Sequence, residues 1–220
     1  MFDQPLIIGK VDVSRTFHQL GVLILDGSGS MQSSGNGNHT KADEVNMAVR
    51  DMLTRFKVSR VKKNFSFAVV TFDTGAQVHT PVTEAIDIDD NDDYNPLVGH
   101  GGGTNIGGAM REAWRLGEAF LNAAPPDGVK HSVILLILSD GGCQYPQQTL
   151  DIATQIKVDP RVTVCAALFN KIGERDAAGQ AMLRGIVSNP VLDFKDVYDA
   201  ETLRTFFEKS ISRASGAVIA

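Results

Sequence analysis

Apolar and polar residues follow two different periods along this chain. Short segments that are apolar at nearly every position predict buried strands, and the clearest are 21–26, 65–72, 131–138 and 162–169. Other segments space their apolar residues three or four positions apart, which is the pattern of a helix with one buried face. The segment 41–56 is an example, with Val45, Val49, Met52, Leu53 and Phe56 in that spacing.

Strands and helices alternate over most of the chain. Further helices are predicted over 106–121, 147–157, 176–187 and 200–213, and a further strand over 191–198. In the helix 106–121 the residues expected to face inward are Met110, Ala113, Trp114, Leu116 and Phe120. This alternation predicts an α/β fold built on a doubly wound parallel sheet. The segment 76–82 follows a turn signal at 73–75 and alternates apolar with polar, which predicts an antiparallel edge strand.

Three loops at predicted strand or helix ends carry oxygen side chains. The first strand ends in Asp26, and Ser28 and Ser30 follow it, separated by glycines that let the backbone curl. Thr104 follows three glycines and precedes a helix, and Asp140 follows the strand 131–138. In an open α/β sheet, ligands bind outside the carboxyl ends of the strands. The five oxygen side chains are therefore expected to meet, and such oxygens suit hard cations like Mg²⁺. A plainer interpretation is that the hydroxyls only cap helices.

At these residues the chain resembles the von Willebrand factor A (vWA) family, also called integrin I-like domains. The family's metal-ion-dependent adhesion site (MIDAS) reads D-x-S-x-S, then T, then D, and Asp26, Ser28, Ser30, Thr104 and Asp140 match it in order. The resemblance implies a three-layer, Rossmann-like fold with a mostly parallel six-stranded sheet, one antiparallel edge strand and helices on both faces. It covers about residues 20–213, which leaves 1–19 as an added arm or strand and 214–220 as a frayed tail.

The resemblance also implies how the site works. Ser28 and Ser30, and Thr104 in the partner-competent state, bind Mg²⁺ directly, while Asp26 and Asp140 act largely through waters; Mn²⁺ or Ca²⁺ are alternatives. Neutral hydroxyl ligands leave the cation short of negative charge, so it favours a Glu or Asp side chain from a partner protein. Whether the site switches between two coordination states is left open.

Composition limits the classes of function. The net charge of −5 lacks the basic footprint of a nucleic-acid binder, and no apolar stretch is long enough to cross a membrane. Two cysteines and an N-terminus without a basic, then apolar, leader predict a cytoplasmic protein. The chain thus resembles the stand-alone bacterial or phage-borne vWA proteins of the tellurium-resistance and stress-response type.

A binding module without catalytic activity is the leading functional prediction. The alternatives are a metal-dependent hydrolase or phosphatase, and a structural subunit with a dispensable metal. A hydrolase needs a base, and His100 is the one candidate, although a solvated loop histidine is the simpler interpretation. His39 lies in a polar stretch, 33–40, which is expected to overhang the site as a flexible loop or to contribute to partner choice.

Three other signals are weak. The acidic segment 87–93 resembles the opening of a calcium loop, but Asp92 stands where glycine is needed and Val98 where the bidentate Glu belongs. It is interpreted as a solvated acidic loop. A Rossmann cofactor is disfavoured because Gln32 replaces the third glycine of the fingerprint. Cys143 lies near Asp140 in sequence, and inert packing is expected rather than a redox role.

Overall fold

A mixed six-stranded sheet forms the centre of the protein. The computed structural model describes residues 15–35, 38–125, 128–173 and 176–217. The strands lie in the order β3-β2-β1-β4-β5-β6, and β3 alone runs antiparallel to its neighbour. Their bounds are β1 Phe17–Asp26, β2 Phe65–Phe72, β3 Ala76–Glu84, β4 Lys130–Ser139, β5 Val162–Phe169 and β6 Phe194–Val197.

Helices cover both faces of this sheet, as the sequence predicts. Their bounds are α1 Lys41–Val58, α2 Ile106–Asn122, α3 Pro146–Ile156, α4 Ala177–Ile186 and α5 Ala200–Ser215. Helices α1 and α5 pack on one face, and α2, α3 and α4 pack on the other. The doubly wound, three-layer α/β fold is therefore confirmed.

The central strands β1 and β4 are buried on both sides. Along β1, Leu23 and Leu25 face α1 and α5, whereas Val22 and Ile24 face the opposite helices. Burial of each such side chain contributes about 1.5–3 kcal/mol of transfer free energy. This alternation fixes the register of β1, and so it fixes where Asp26 emerges at the carboxyl edge of the sheet.

Helix α1 begins at a capping box. The Thr40 hydroxyl accepts the Asp43 N–H at 3.1 Å, and the Asp43 carboxylate accepts the Thr40 N–H at 3.0 Å. The box satisfies two backbone donors that the first turn would otherwise leave free. It therefore fixes the start of α1, with Lys41 as its first residue.

Helix α5 runs back across the sheet from its carboxyl edge to its amino edge. At its start, the Ala200 N–H donates to Glu44 Oε2 of α1 at 2.8 Å. Near its end, Arg213 forms an ion pair with Asp193, which directly precedes β6. The described residues contain no helix long and apolar enough to span a membrane.

Several predicted boundaries were wrong. Strand β1 begins at Phe17 rather than at the predicted residue 21, so residues 17–19, assigned to an added arm or strand, belong to the sheet; residues 1–14 lie outside the described part. Strand β6 is shorter than predicted because Val191 and Leu192 are 83% and 53% exposed. At the other end, α5 continues to Ser215, within the predicted tail, and residues 218–220 are outside the described part.

Within α2, the expected inward face is only partly correct. Met110 and Ala113 are fully buried, whereas Trp114, Leu116 and Phe120 are partly buried against the same core. The three larger side chains therefore lie at the border of that core.

Candidate metal centre

Asp26 is held in one orientation by protein donors. Its side chain is fully buried at the end of β1. Oδ1 accepts the Ser28 N–H at 2.8 Å, and Oδ2 accepts the Ser139 hydroxyl at 2.6 Å. Burial raises the pKa of Asp26 to about 6, although the hydrogen bonds from Ser139 and Ser28 act in the opposite direction.

The two serine hydroxyls connect this carboxylate loop to Asp140. Ser28 Oγ and Ser30 Oγ lie 3.1 Å apart, and Ser30 Oγ donates to Asp140 Oδ1 at 2.7 Å. The structure thus brings together four of the five predicted side chains, from the loops that follow β1 and β4. We call Asp26, Ser28, Ser30 and Asp140 the oxygen cluster.

Backbone hydrogen bonds hold the loop of Thr104 beside the oxygen cluster. The Gly29 N–H donates to the Gly102 carbonyl at 3.0 Å, and the Gln144 N–H donates to the Thr104 carbonyl at 2.9 Å. These bonds hold the Thr104 loop between the other two. Within the described residues, however, the Thr104 hydroxyl makes no hydrogen bond to the oxygen cluster.

Lys41 is a member of the site that the sequence did not reveal. Its Nζ donates to Asp140 Oδ2 at 2.8 Å, and the two side chains are only 10% and 4% exposed. Both oxygens of Asp140 are therefore engaged, one by Ser30 and the other by an ammonium group.

Asp73, predicted only as a turn residue, organises the loop that carries Thr104. Its carboxylate accepts the N–H groups of Gly75 and Gly102, each at 3.0 Å, and its carbonyl accepts the Asn105 N–H at 2.7 Å. Burial by itself would raise the pKa of Asp73, but these N–H donors and His100 lower it to about 2.

The prediction of a solvated His100 was wrong. The side chain is only 6% exposed; Nδ1 lies 3.3 Å from Asp73 Oδ1 and Nε2 lies 2.9 Å from Thr71 Oγ1. The loop folds back over the end of β2, and the imidazole fills the space between these two partners.

Comparison with known proteins identifies the family of the chain. Residues 22–142, more than half of the chain, match the model of the von Willebrand factor type A domain. The chain belongs to the von Willebrand factor type A family. No curated protein sequence matches the chain.

Solved structures support the same vWA fold. A vWA protein from Catenulispora acidiphila has a TM-score of 0.66 at 20% identity over 91% of this chain. The pilus adhesin SpaC from Lactobacillus rhamnosus GG has a TM-score of 0.70 at 16% identity over 90% of the chain. Proximal thread matrix protein 1 from the mussel byssus, solved with a zinc-occupied MIDAS motif, has a TM-score of 0.60 at 20% identity over 90% of the chain. The chain spans 43%, 30% and 46% of those three proteins, respectively.

The donor chemistry of the oxygen cluster fits a hard divalent cation. No group of three His, Cys, Asp or Glu side chains in the described ranges is arranged to hold a metal. A cation at this vWA site would therefore depend on the serine hydroxyls as well as on the two carboxylates. Oxygen ligands of this kind suit Mg²⁺, Mn²⁺ and Ca²⁺ better than softer metals.

The remaining predicted features lie around the vWA site or away from it. His39 is exposed, and its carbonyl accepts the Gly35 N–H at 2.9 Å; residues 36 and 37 lie outside the described part. The acidic segment 87–93 is mostly exposed and is attached to α1 by Asp90, which accepts from Lys57 and Thr54 at 2.8 Å each.

Both cysteines are free thiols. Cys143 Sγ forms a hydrogen bond of 3.4 Å with the Thr149 hydroxyl. Cys165 is buried, and this burial raises the pKa of its thiol, so it is unreactive at neutral pH.

Proposed function

We propose that this vWA domain binds Mg²⁺ through Asp26, Ser28, Ser30, Thr104 and Asp140, and through that ion binds an acidic side chain of a partner protein. The observation that supports the proposal most directly is the oxygen cluster. Two carboxylates and two hydroxyls from loops distant in sequence are joined by hydrogen bonds of 2.6 to 3.1 Å that include Ser139. Mn²⁺ and Ca²⁺ are chemically acceptable substitutes.

The hydrogen bonds suggest which residues would bind the cation directly and which would supply only charge. Both oxygens of Asp26 already accept protein donors, so its charge would stabilise a cation held by the serine hydroxyls without a direct bond to it. The hydroxyls of Ser28 and Ser30 are neutral, and the ion they hold retains most of its positive charge. A bound cation of this kind supplies an attachment point for a carboxylate.

The surroundings of the site favour binding over catalysis. His100 was the one base considered, and its two ring nitrogens lie beside Thr71 and Asp73. Its side chain is almost fully buried, so a substrate would have to displace these contacts to reach it. This burial of His100 supports the binding proposal over the alternative of a metal-dependent hydrolase.

Similarity of fold to the pilus adhesin SpaC supports a role in protein interaction. The cytoplasmic location and the stress-response or tellurium-resistance setting stay predictions from the sequence. The identity of the partner class, a protein presenting Glu or Asp, follows from the charge of the proposed ion.

Calorimetric titration with Mg²⁺ and Mn²⁺ tests the metal site. The wild-type domain is expected to bind one ion, and Ser30→Ala is expected to weaken binding at least tenfold, about 1.4 kcal/mol, because it removes a hydroxyl from the oxygen cluster. Thr154→Ala is the matched control, since it removes an exposed hydroxyl on α3. Equal affinities in all three proteins would contradict the site.

The carboxylate role is tested with acetate as a probe. Bound Mn²⁺ is expected to enhance the relaxation of acetate methyl protons, and acetamide at the same concentration is expected to show much less enhancement. A wild-type domain that binds Mn²⁺ but treats the two probes alike would disprove the carboxylate mechanism while leaving the metal site intact.

A further inference from the structure

The ion pair between Lys41 and Asp140 gives the vWA site a fixed positive charge of its own. The ammonium lies 2.8 Å from Asp140 Oδ2, and neither side chain is more than 10% exposed. Water therefore screens this pair far less than it would screen a surface pair. The inference drawn below rests on the proposed function.

The position of Lys41 at the start of α1 places its side chain beside Asp140. Lys41 is the first residue of α1, fixed by the capping box at Thr40, and its N–H donates to the Ser33 carbonyl at 3.0 Å. A cation in the first turn of a helix opposes the helix dipole, so helix formation does not favour lysine here. The contact with Asp140 supplies the favourable interaction that this position otherwise lacks.

The ammonium group of Lys41 lowers the net negative charge available to bind a metal ion. Asp26 and Asp140 supply two negative charges, and Lys41 neutralises one of them at close range. A divalent cation must share Asp140 with the ammonium, which weakens its binding. A carboxylate arriving afterwards meets the positive charge of both the cation and Lys41, which strengthens its binding.

We infer that Lys41 is a positioning residue that lowers the affinity of the site for a free cation and raises the affinity of the loaded site for a carboxylate. Because such coupling is reciprocal, the carboxylate in turn tightens the cation. The site thereby discriminates against the metal alone and favours the combination of metal and acidic partner.

The test compares Lys41→Met with Lys57→Met. Methionine keeps most of the apolar stem and removes the charge, and Lys57 is a matched control because it pairs with Asp90 outside the oxygen cluster. For Lys41→Met we expect Mn²⁺ to bind about tenfold more tightly and acetate to bind the Mn²⁺-loaded site several-fold more weakly. Lys57→Met and the charge-preserving Lys41→Arg are expected to resemble the wild type.

Opposite changes in the two affinities distinguish this role from a structural one, since a distorted site would lose affinity for both ligands. Circular dichroism in EDTA establishes that each variant is folded, and Lys41→Gln takes the place of Lys41→Met if the latter does not fold. A wild type that binds no ion would contradict the proposed metal function. Mn²⁺ binding by the uncharged variant would still support the inference in that case, because removal of the charge would have raised the affinity. Unchanged or weaker Mn²⁺ binding in that variant, or no binding in either protein, overturns the inference.

Discussion

At the residue scale, three segments of the chain are in close contact at Gly27. A Cβ atom at this position would lie 2.0 Å from the Pro96 carbonyl oxygen and 2.9 Å from His100 Cβ. The Gly27 N–H also donates to the Phe72 carbonyl at 2.6 Å. The loop that presents Ser28 and Ser30 is therefore pressed against its neighbours with no room for a side chain.

Gly27→Ala is expected to lower the free energy of unfolding by about 3 kcal/mol, because the clash is with backbone that cannot move aside cheaply. Urea unfolding measures this loss. Gly75→Ala is the control: no atom lies within 4 Å of its added Cβ, so a change within about 0.5 kcal/mol is expected. A mild effect at Gly27 would show that the Pro96 segment is free to shift.

A second residue, Asp73, makes stability depend on pH. Its pKa falls to about 2 in the folded protein, below the ordinary aspartate value of 3.8. A depressed carboxylate pKa stabilises the fold above the unfolded-state value, and this contribution is lost as the pH falls from about 4 towards 2. Asp73→Asn is therefore expected to cost about 2 kcal/mol at pH 7 and progressively less below pH 4.

Urea unfolding between pH 7 and pH 2.5 measures the difference between Asp73→Asn and wild type. Asp151→Asn is a suitable control because Asp151 lies on the exposed side of α3, where Gln147 donates to it at 3.0 Å. If the cost of Asp73→Asn were the same at every pH, the carboxylate charge would not be what secures the Thr104 loop.

At the scale of elements, an ion pair stabilises the end of helix α5. Arg213 of α5 pairs with Asp193, whose side chain is 6% exposed while that of Arg213 is 39% exposed. Arg213→Met would leave a buried carboxylate without its cation. We expect a loss on the order of 2 kcal/mol, less than for a fully buried pair because Arg213 reaches solvent.

Hydrogen exchange followed by mass spectrometry localises this effect. Amides near the end of α5 are expected to exchange faster in Arg213→Met, whereas Arg111→Met, an exposed arginine on α2, is expected to leave them unchanged. Adding Asp193→Asn to Arg213→Met is expected to recover part of the loss, since the orphan charge disappears. Strictly additive losses in the double variant would mean that the two side chains are not coupled.

The elements were predictable from sequence wherever burial and apolar character coincide. The boundaries of β2 and β5 were predicted correctly because nearly every position in these strands is apolar. The start of β1 was missed because His18 and Gln19 interrupt the pattern, although Gln19 is fully buried and has no hydrogen-bond partner for its amide within the described residues. The opposite error occurred at Val191 and Leu192, which are apolar but exposed.

At the scale of the whole molecule, the meeting of Asp26, Ser28, Ser30 and Asp140 was predictable because strand ends of a parallel sheet share one edge. The supporting residues were not, since their contacts join positions far apart in sequence. Lys41 and Asp140 are 99 residues apart, and Asp73 and Gly102 are 29 apart. A lysine at the start of a helix and an aspartate in a turn carry no local sign of such partners.

The course of the chain also decides how this domain can be tethered. Strand β1 enters the sheet at the edge opposite the oxygen cluster, and α5 returns to that same edge, where Arg213 meets Asp193. Both ends of the described fold therefore lie at the edge of the sheet opposite the oxygen cluster. A surface, a fibre or a neighbouring module linked at that edge would leave the oxygen cluster facing outward.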